Sequence, residues 1–324
     1  MNRLKVTAGL IKSNRKIFLA CHANPDGDAI GSMLGLGLAL MKIGKSVTML
    51  CPDPIPVRYI KLPGVHLIKR QCKGKADLAN SVDCASIIQL SKIEEIFEQS
   101  ERIVEIDHHV YRTRFGDVQL VDKNACSVGE IVYLLLQQLS IPMDKKVAEC
   151  LLTSTLIETS SFSRQDVQKS TFEICARLLE EGVSFQKISE RYYWRKRLST
   201  MHLSGLCLMR SKMRANDQLV WSIVYKKDFE AFKGKQEDVD AVADDMMMIE
   251  NVKIALLFRE IDDNMFRVSL RSRAGIDIGY LASLYGGGGH PDVAGCRIHN
   301  NQKTVEKLIT QACRLIDKKK LHRK

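Results

Sequence analysis

The sequence predicts an α/β protein in which a mainly parallel sheet flanked by helices is followed by a second, smaller α/β domain. Short apolar runs at 17–21, 46–51 and 102–106 indicate buried strands. Apolar residues recur with the helical period at 30–43 and 131–139. Strands separated by helices imply βαβ units, whose strands pair in parallel.

Local signals set the ends of several elements. Ser127 and Glu130 form a capping-box pair in front of the helix at 131–139, and another helix is predicted at 147–156. The segment 51–63 contains four prolines. Because proline fixes φ and lacks a backbone donor, we expect this segment to be irregular.

A second set of elements begins after a long helical region. Residues 165–212 have helical character throughout, and strands are predicted at 219–224, 253–258 and 265–270, with a helix at 304–316. We therefore expect three parts: a first domain at 1–185, a helical linker at 186–212 and a second domain at 213–324.

The linker contains a basic and aromatic stretch, RYYWRKR, at 191–197. Aromatic rings next to basic side chains can stack on single-stranded RNA and grip its backbone. An amphipathic connecting helix, whose long basic side chains cover apolar surface, explains the same residues and is the favoured interpretation.

Length, charge and cysteine content limit the classes of protein that fit this sequence. A chain of 324 residues with 45% hydrophobic content can bury two ordinary cores, and its net charge of +11 suits a polyanionic substrate. Ten cysteines lie mostly in or beside apolar stretches without a C-x-x-C pair, which predicts reduced, buried thiols. The sequence has neither the apolar core of a signal peptide nor a membrane-spanning window, so we expect a soluble, cytoplasmic protein with no membrane partner.

A first polar cluster, HANPDGDAIGS, occupies residues 22–32 directly after the strand at 17–21. Ligands bind at the ends of strands in open α/β sheets. His22, Asp26 and Asp28 carry the nitrogen and oxygen ligands that manganese, magnesium or zinc accept. A helix cap would explain the two aspartates but not the histidine.

A second cluster, Asp107-His108-His109, follows the strand at 102–106. A histidine can ligate a metal or donate a proton, and an aspartate can ligate or orient an imidazole. Asp83, considered alone, resembles an ordinary turn or capping residue.

Four consecutive glycines, Gly286 to Gly289, precede His290 near the end of the chain. Their unobstructed backbone N–H groups can close on a phosphate or a nucleobase. A flexible linker is the alternative, but linkers are usually longer and richer in serine. Arg271 stands at the end of a predicted strand, where its guanidinium can bind a phosphate.

Together these motifs resemble the DHH phosphoesterase family, and within it the nanoRNase and pAp-phosphatase branch. The pattern is H-x-N-P-D-G-D-A-x-G-S, a lone aspartate, D-H-H and G-G-G-G-H, in that order. The resemblance covers nearly the whole chain. It implies a catalytic, metal-binding DHH domain followed by a DHH-associated substrate-binding domain.

The resemblance also implies a pair of divalent metal ions, most often Mn²⁺. His22 and Asp26 would hold one ion, Asp28 and His108 the other, and Asp83 would bridge them. The expected metal ligands are His22, Asp26, Asp28, Asp83, His108 and Glu158.

The same resemblance assigns the remaining roles. Asp83 and Asp107 would take part in catalysis, with Asp107 supporting the histidines and His109 near the scissile phosphate. A homodimer would fit the family. The expected substrate contacts are Ser32, Arg271, Gly286, Gly287, Gly288, Gly289 and His290.

Glu158 departs from the family pattern. The usual fourth motif resembles G-x-x-T-D-T-G-S-F, whereas this chain has STLIETSSF at 154–162, with glutamate in place of the metal-binding aspartate. Glutamate keeps the carboxylate and adds one methylene. We expect it to ligate still, because manganese accepts flexible carboxylate geometry.

The leading hypothesis is a hydrolase that degrades very short oligoribonucleotides to mononucleotides, with adenosine 3′,5′-bisphosphate as an additional substrate that yields AMP. One alternative is a catalytically weakened nucleotide- or RNA-binding relative that holds a single metal. Another is a soluble phosphodiesterase for cyclic or linear dinucleotides.

Overall fold

The computed structural model describes residues 3–164, 166–273, 275–289 and 291–321, with side chains described as far as residue 317. Contacts divide the chain into two compact units with the boundary between Arg195 and Lys196. This boundary lies inside the segment that was expected to link two domains.

The first unit alternates strands and helices. Its strands are β1 (Lys16–Ala20), β2 (Ser46–Leu50), β3 (Ile68–Lys69), β4 (Leu78–Val82), β5 (Ile103–Asp107) and β6 (Val118–Val121). Its helices are α1 (Arg3–Ser13), α2 (Gly27–Lys42), α3 (Glu94–Glu98), α4 (Val128–Leu139), α5 (Lys145–Glu158), α6 (Lys169–Glu180) and α7 (Phe185–Ser189). Short 3₁₀ turns at Val57–Tyr59, Val65–Leu67 and Ile87–Ile93, and a π-helical turn at Glu190–Trp194, complete it.

Within the described residues, six strands of this unit form one sheet in the order β3-β2-β1-β4-β5-β6. Every pair is parallel. The order runs one way from β1 to β3 and the other way from β4 to β6. It therefore reverses between β1 and β4, and an open α/β sheet leaves a crevice at such a point.

Side chains of β1 alternate between two cores, as the pleat of a strand requires. Ile17 and Leu19 belong to the larger core, which α1, α2, α4 and α5 cover. Phe18 and Ala20 belong to a smaller core beneath α3 and the 87–93 turn. Helical layers on both faces explain why these strands are nearly continuous apolar runs.

Helix α2 packs closely against α5 because three glycines, spaced one turn apart, face it. A Cβ added at Gly27 would lie 2.8 Å from Ile157, one at Gly31 would lie 2.6 Å from the Cys150 carbonyl, and one at Gly35 would lie 2.5 Å from Leu151. This close approach sets the N-terminal turn of α2, which carries Asp26 and Asp28, beside the C-terminal half of α5.

The second unit contains a mixed sheet. Its strands are β7 (Lys212–Arg214), β8 (Leu219–Val224), β9 (Ile254–Asp262), β10 (Met265–Ser272), β11 (Gly288–Gly289) and β12 (Val293–His299). Its helices are α8 (Leu198–Met209), α9 (Lys226–Ala231), α10 (Val242–Met246), α11 (Ile278–Ser283) and α12 (Gln302–Leu321). The strand order is β11-β12-β10-β9-β8-β7, with β8 and β9 parallel and the other pairs antiparallel.

Helices cover both faces of the second sheet. Helices α11 and α12 close one core with Leu256 and Val268, and α8, α9 and α10 close the other with Val220 and Leu257. The predicted α/β class, with a parallel sheet followed by a smaller α/β unit, is confirmed.

The prediction that 165–212 is helical throughout is wrong. The helices break at 181–184 and at 195–197, and a strand begins at Lys212. Gly182 adopts a φ of 78°, the left-handed conformation that commonly ends a helix. Ser184 then caps α7 through a hydrogen bond from Lys187 N.

The basic and aromatic stretch begins as part of the first unit. Arg191 pairs with Glu149 at 3.1 Å, and Arg195 pairs with Glu190 at 3.1 Å. Tyr192 and Tyr193 pack against the larger core. These contacts favour the connecting-helix interpretation over the RNA-binding one.

All ten cysteines are free thiols, and eight are buried, as the sequence predicted. None of the described helices is both long enough and apolar enough to cross a bilayer.

Candidate metal centre

The ends of three neighbouring strands bring the predicted site residues of the first unit together. His22 lies two residues beyond β1, Asp83 directly follows β4, and Asp107 ends β5. β1 and β4 flank the point where the strand order reverses. Asp83 adopts a φ of 61°, a conformation that costs energy in a non-glycine residue and clusters at functional sites.

Three imidazoles face the buried Asp83 carboxylate at distances too long for hydrogen bonds. Its Oδ2 lies 3.7 Å from Nε2 of His22. Its Oδ1 lies 3.8 Å from Nε2 of His108 and 3.6 Å from Nδ1 of His109. That Oδ1 is buried and accepts no hydrogen bond from the described residues. Two atoms that bind one ion at about 2.0–2.2 Å lie about 3–4 Å apart, so this spacing fits a shared cation.

The other ring nitrogens of two of these histidines fix their tautomers. His22 Nδ1 lies 2.8 Å from the Ala23 carbonyl, and His108 Nδ1 lies 3.1 Å from the Ala125 carbonyl. Because a carbonyl oxygen only accepts, each Nδ1 carries the hydrogen and each Nε2 keeps its lone pair. A histidine held in this way presents a metal-ligating nitrogen.

Asp26 combines a capping role with a place in the cluster. Its Oδ1 accepts hydrogen bonds from the backbone N–H groups of Asp28 and Ala29, both at 3.0 Å, which caps α2. Ligand atoms of His22, Asp26 and Asp83 all lie within 4.8 Å of one another. They include His22 and Asp26, the two residues expected to hold the first metal ion, and Asp83, the expected bridge.

Asp28 is fully buried and joins the cluster to α4 and α5. Its Oδ2 accepts a hydrogen bond from Val128 N at 2.9 Å and lies 3.7 Å from His108 Nε2. Its Oδ1 accepts a hydrogen bond from Ser154 Oγ at 2.6 Å. The second grouping that could hold a metal contains Asp83, His108 and His109, so His109 lies nearer to it than the family pattern implies.

His109 belongs to a chain of charged side chains that runs into the fold. Its Nδ1 lies 2.7 Å from Asp107 Oδ1, and Asp107 Oδ2 lies 3.4 Å from Nε of Arg112. Arg112 also contacts Glu105, which is fully buried in the middle of β5. Glu105 in turn accepts a hydrogen bond from Gly116 N at 2.6 Å. The network orients the Asp107–His109 pair.

Glu158, the unusual residue, forms an ion pair with Arg164. Arg164 Nη1 donates to Glu158 Oε1 at 2.6 Å and lies 3.3 Å from the Glu158 carbonyl. Neither cluster whose ligand atoms converge includes Glu158. Its carboxylate is nevertheless close enough for the charges of Asp28 and Asp26, after burial, to raise its pKa well above the usual value.

The cluster is strongly electronegative. Burial raises the pKa of Asp28 to about 6, and the charge of Asp83 adds to the effect. Burial lowers the pKa of His22, but Asp83 raises it by more, to about 10. For Asp83, burial raises the pKa, but His22, His109 and His108 together lower it by more, so the net shift is downward. The negative potential that holds a proton on the imidazole also attracts a divalent cation.

The donors present therefore fit a metal centre. Imidazole nitrogens with fixed tautomers face carboxylate oxygens at the spacing of shared ligands, and one buried carboxylate oxygen accepts no hydrogen bond from the described residues. The ligand atoms of His22, Asp26 and Asp83 converge in one group, and those of Asp83, His108 and His109 in another.

Ser32 does not lie where substrate could reach it. It is fully buried on α2, and its hydroxyl donates to Asp28 Oδ1 at 2.9 Å. The expectation of a direct substrate contact is corrected accordingly: Ser32 supports the Asp28 carboxylate.

The second unit groups its predicted residues at one end of its sheet. Arg271 pairs in register with Val293 on β12, and Gly289 pairs with Ala294. The glycines are held beside β12: a Cβ at Gly287 would lie 2.2 Å from the Gly295 carbonyl. Gly288 and Gly289 form β11, and Gly286 adopts a φ of 69°. His290 lies outside the described residues.

Arg271 already has a carboxylate partner. Its Nε lies 2.5 Å from Oδ1 of Asp244, and its Nη2 lies 3.3 Å from Oδ2. This bidentate pair fixes the plane of the guanidinium.

Sequence reasoning missed three supporting residues. Arg112, Arg164 and Ser154 contact Glu105, Glu158 and Asp28 respectively. Ser154 was seen only as a departure from the family's glycine. No local pattern predicts such tertiary contacts, although the charge of Arg112, three residues after the Asp-His-His motif, was an available signal.

Comparison with known families agrees with this geometry. Residues 16–155 match the DHH family, N-terminal domain, and residues 218–318 match the DHHA1 domain. The chain belongs to the DHH family. As a DHH phosphoesterase it is a hydrolase, and the resemblance drawn from its motifs is confirmed.

Several relatives of this DHH protein span nearly its whole length. It is 26% identical over 300 residues to the bifunctional oligoribonuclease and PAP phosphatase NrnA of Thermus thermophilus, covering 91% of this chain and 88% of the relative. The Bacillus subtilis protein of the same name is 25% identical, with 88% and 90% covered. An exopolyphosphatase-related protein from Bacteroides fragilis has a similar structure, with a TM-score of 0.90, 25% identity and 99% and 98% coverage.

Proposed function

We propose that this DHH protein hydrolyses very short oligoribonucleotides to mononucleotides and removes the 3′-phosphate of adenosine 3′,5′-bisphosphate. The observation that supports this most directly is the pair of imidazole Nε2 atoms, of His22 and His108, at 3.7 and 3.8 Å from the Asp83 carboxylate, at the point where the strand order reverses. Relatives named for both activities, at about 25% identity, point to the same substrates.

In this proposal two divalent ions, most often Mn²⁺, would be held by His22, Asp26, Asp28, Asp83 and His108, and Glu158 would be a sixth ligand. Bound there, such ions would supply Lewis acidity toward phosphate oxygens and lower the pKa of a water molecule. Asp83, which belongs to both groups of converging ligand atoms, would be shared by the two ions.

His109 is the proposed proton donor. Asp107 accepts the Nδ1–H of His109 at 2.7 Å, which stabilises a protonated ring and leaves Nε2 to protonate the leaving oxygen. Arg112 and Glu105 hold Asp107 in place. Misplacement by about 1 Å can cost about a hundredfold in rate, so this support matters for catalysis.

The second unit is the proposed substrate-binding domain. Arg271, held by Asp244, would bind a substrate phosphate, and the backbone of Gly286 to Gly289, with His290, would bind a terminal phosphate or base. We also propose a homodimer, and a first domain at 1–185, a helical linker at 186–212 and a second domain at 213–324.

The test combines metal counting with product analysis. Purified protein is incubated with Mn²⁺ and 5′-labelled RNA of two, three and five nucleotides, and bound metal is counted by mass spectrometry. Two ions and release of mononucleotides are expected. One ion without release would favour the nucleotide-binding relative. Preferential cleavage of cyclic or linear dinucleotides would favour the dinucleotide phosphodiesterase.

A further inference from the structure

Arg58 is an arginine of the first unit that no motif singles out. It lies in the 3₁₀ turn Val57–Tyr59 of the proline-rich segment, and its side chain is exposed. Its guanidinium carbon lies 4.8 Å from the centroid of the Tyr59 ring. Tyr59 is fully buried, and its ring packs 5.7 Å from that of Tyr192. A cation on a fixed aromatic face is held in place at little entropic cost.

The aromatic residues around Arg58 connect it to helix α5, which ends at Glu158: Tyr59 packs on Tyr192, and the next residue, Tyr193, bonds to α5. Burial raises the pKa of Tyr193 to about 12, while Arg58 lowers it and Glu158 raises it, so both charges act on this ring. The Tyr193 hydroxyl donates to the Leu156 carbonyl at 2.8 Å, two residues before Glu158. The pKa of Tyr59 is also raised, mainly by burial, with opposing contributions from Arg58 and Asp26.

The charge of Arg58 is not matched by an acidic partner. No carboxylate among the described residues lies within ion-pair distance of its guanidinium, whereas Arg112 contacts Glu105 and Arg164 contacts Glu158. An exposed guanidinium next to an acidic cluster, without a carboxylate of its own, is suited to an anion that approaches that cluster.

We propose that Arg58 binds a second phosphate of the substrate, one that is not cleaved. This inference rests on the proposed function, in which the scissile phosphate lies at Asp83 and His109. Both proposed substrate types, an oligonucleotide with a 5′-phosphate and adenosine 3′,5′-bisphosphate, carry such a phosphate. The planar fork of arginine matches phosphate oxygens, and the Tyr59 ring orients that fork.

The test compares ligands with two phosphates and with one. Adenosine 3′,5′-bisphosphate and adenosine 3′-monophosphate, which keeps only the scissile phosphate, are titrated calorimetrically, in the presence of Mn²⁺, into protein carrying His109→Ala, which removes the proposed proton donor. Adding Arg58→Gln should weaken bisphosphate binding at least about tenfold and binding of the 3′-monophosphate less than about twofold. Arg58→Lys, which keeps the charge but not the fork, should fall between. The matched control is Arg15→Gln, an exposed arginine just before β1, at the opposite edge of the same sheet, which should change neither affinity.

Equal losses for both ligands would place Arg58 at the scissile phosphate, and no loss for either would remove it from substrate binding. Each result overturns the proposal. Because binding is measured without turnover, Arg58 is judged even if the protein cleaves no RNA. The hydrolase hypothesis is tested separately, by the release of mononucleotides from 5′-labelled RNA. Thermal melting of each variant confirms that the fold is retained.

Discussion

Arg164 donates a 2.6 Å hydrogen bond from Nη1 to Oε1 of Glu158, the residue that replaces the family's metal-binding aspartate. The turn between them makes the contact possible: Ser160, Ser161 and Phe162 adopt φ values of 47°, 60° and 66°. Three successive non-glycine residues in this region are strained. If Glu158 also ligates a metal ion, Arg164 competes with that ion for the same carboxylate.

This competition predicts opposite effects on Mn²⁺ affinity. Arg164→Gln should tighten the weaker Mn²⁺ site by up to about fivefold, because a partly exposed ion pair contributes at most about 1 kcal/mol. Glu158→Gln should weaken that site. Calorimetric titration with Mn²⁺ measures both. Arg177→Gln, which removes the exposed pair of Arg177 with Glu180, is the control and should change nothing.

Shortening the side chain at position 158 tests the role of Glu158 in a second way. Glu158→Asp, which restores the family's residue, should leave activity unchanged or raise it. A large fall would show that the site has been rebuilt around the longer glutamate. Unchanged Mn²⁺ affinity in both Arg164→Gln and Glu158→Gln would show instead that Glu158 serves only to anchor Arg164.

Asp83→Asn should separate metal binding from folding. Because the facing histidines lower the pKa of the Asp83 carboxyl, its charge stabilises the fold at pH 7, and the Tm without metal should fall. The rise in Tm that Mn²⁺ gives the wild type should disappear, because ligand binding to the folded state stabilises it only while the site binds. Turnover should fall at least about a hundredfold.

The control for Asp83→Asn is Asp77→Asn, whose carboxylate accepts hydrogen bonds from the backbone of Arg15 and Lys16 at the opposite end of β1. The Asp77→Asn variant should keep the rise in Tm that Mn²⁺ gives the wild type. An Asp83→Asn variant that still melts at a higher temperature with Mn²⁺ would contradict the bridging role.

Strand β4, which directly precedes Asp83, was not predicted from the sequence. β4 is fully buried at the centre of the sheet, yet its sequence is LANSV, with Asn80 and Ser81 in the core. A strand search based on apolar runs cannot see it, so Asp83 resembled an isolated turn residue. Strands with continuous apolar runs, such as β1 and β2, were predicted to within one residue.

The part of the site that could be predicted consists of residues next to recognisable sequence motifs. His22, Asp26 and Asp107 follow recognisable strands, and a family motif connects them. Contacts that join distant segments, such as Tyr59 with Tyr192 or Ser154 with Asp28, depend on how α5 and the π-helical turn pack. No spacing in the sequence encodes that packing.

Arg112→Met should be among the most destabilising single changes in the first unit. Glu105 is fully buried, and Arg112 is its cationic partner. Leaving that carboxylate unpaired should lower the free energy of unfolding by about 3–5 kcal/mol. Urea denaturation measures the loss. Arg114→Met, an exposed neighbour, should have little effect, and similar losses for the two variants would contradict the buried pair.

Gly31→Ala should force α2 and α5 apart. The new Cβ would lie 2.6 Å from the Cys150 carbonyl and 3.0 Å from Ser154 Cβ, so the helices must shift, at about 1–3 kcal/mol. Gly9→Ala on α1 is the matched control, because nothing lies within 4 Å of its added Cβ. It should stabilise the helix by about 0.5–1 kcal/mol. A neutral Gly31→Ala would show that the helices have room to separate.

Asp228 predicts how the second unit responds to acid. Burial raises its pKa, but Arg210 lowers it by more, through hydrogen bonds of 2.5 and 3.0 Å. A carboxylate whose folded pKa lies below its unfolded value stabilises the fold above about pH 4 and loses that contribution as the pH falls further. Asp228→Asn should therefore lower the stability at pH 7 and flatten its decline below pH 4.

The buried Trp221 reports on this unit, so its fluorescence is followed during urea unfolding between pH 2.5 and 7, in a Trp194→Phe background. Asp263→Asn removes an exposed carboxylate from the turn between β9 and β10 and should leave the wild-type profile in place. Profiles of Asp228→Asn and wild type that run parallel down to pH 2.5 would show that the Arg210 pair does not control acid stability.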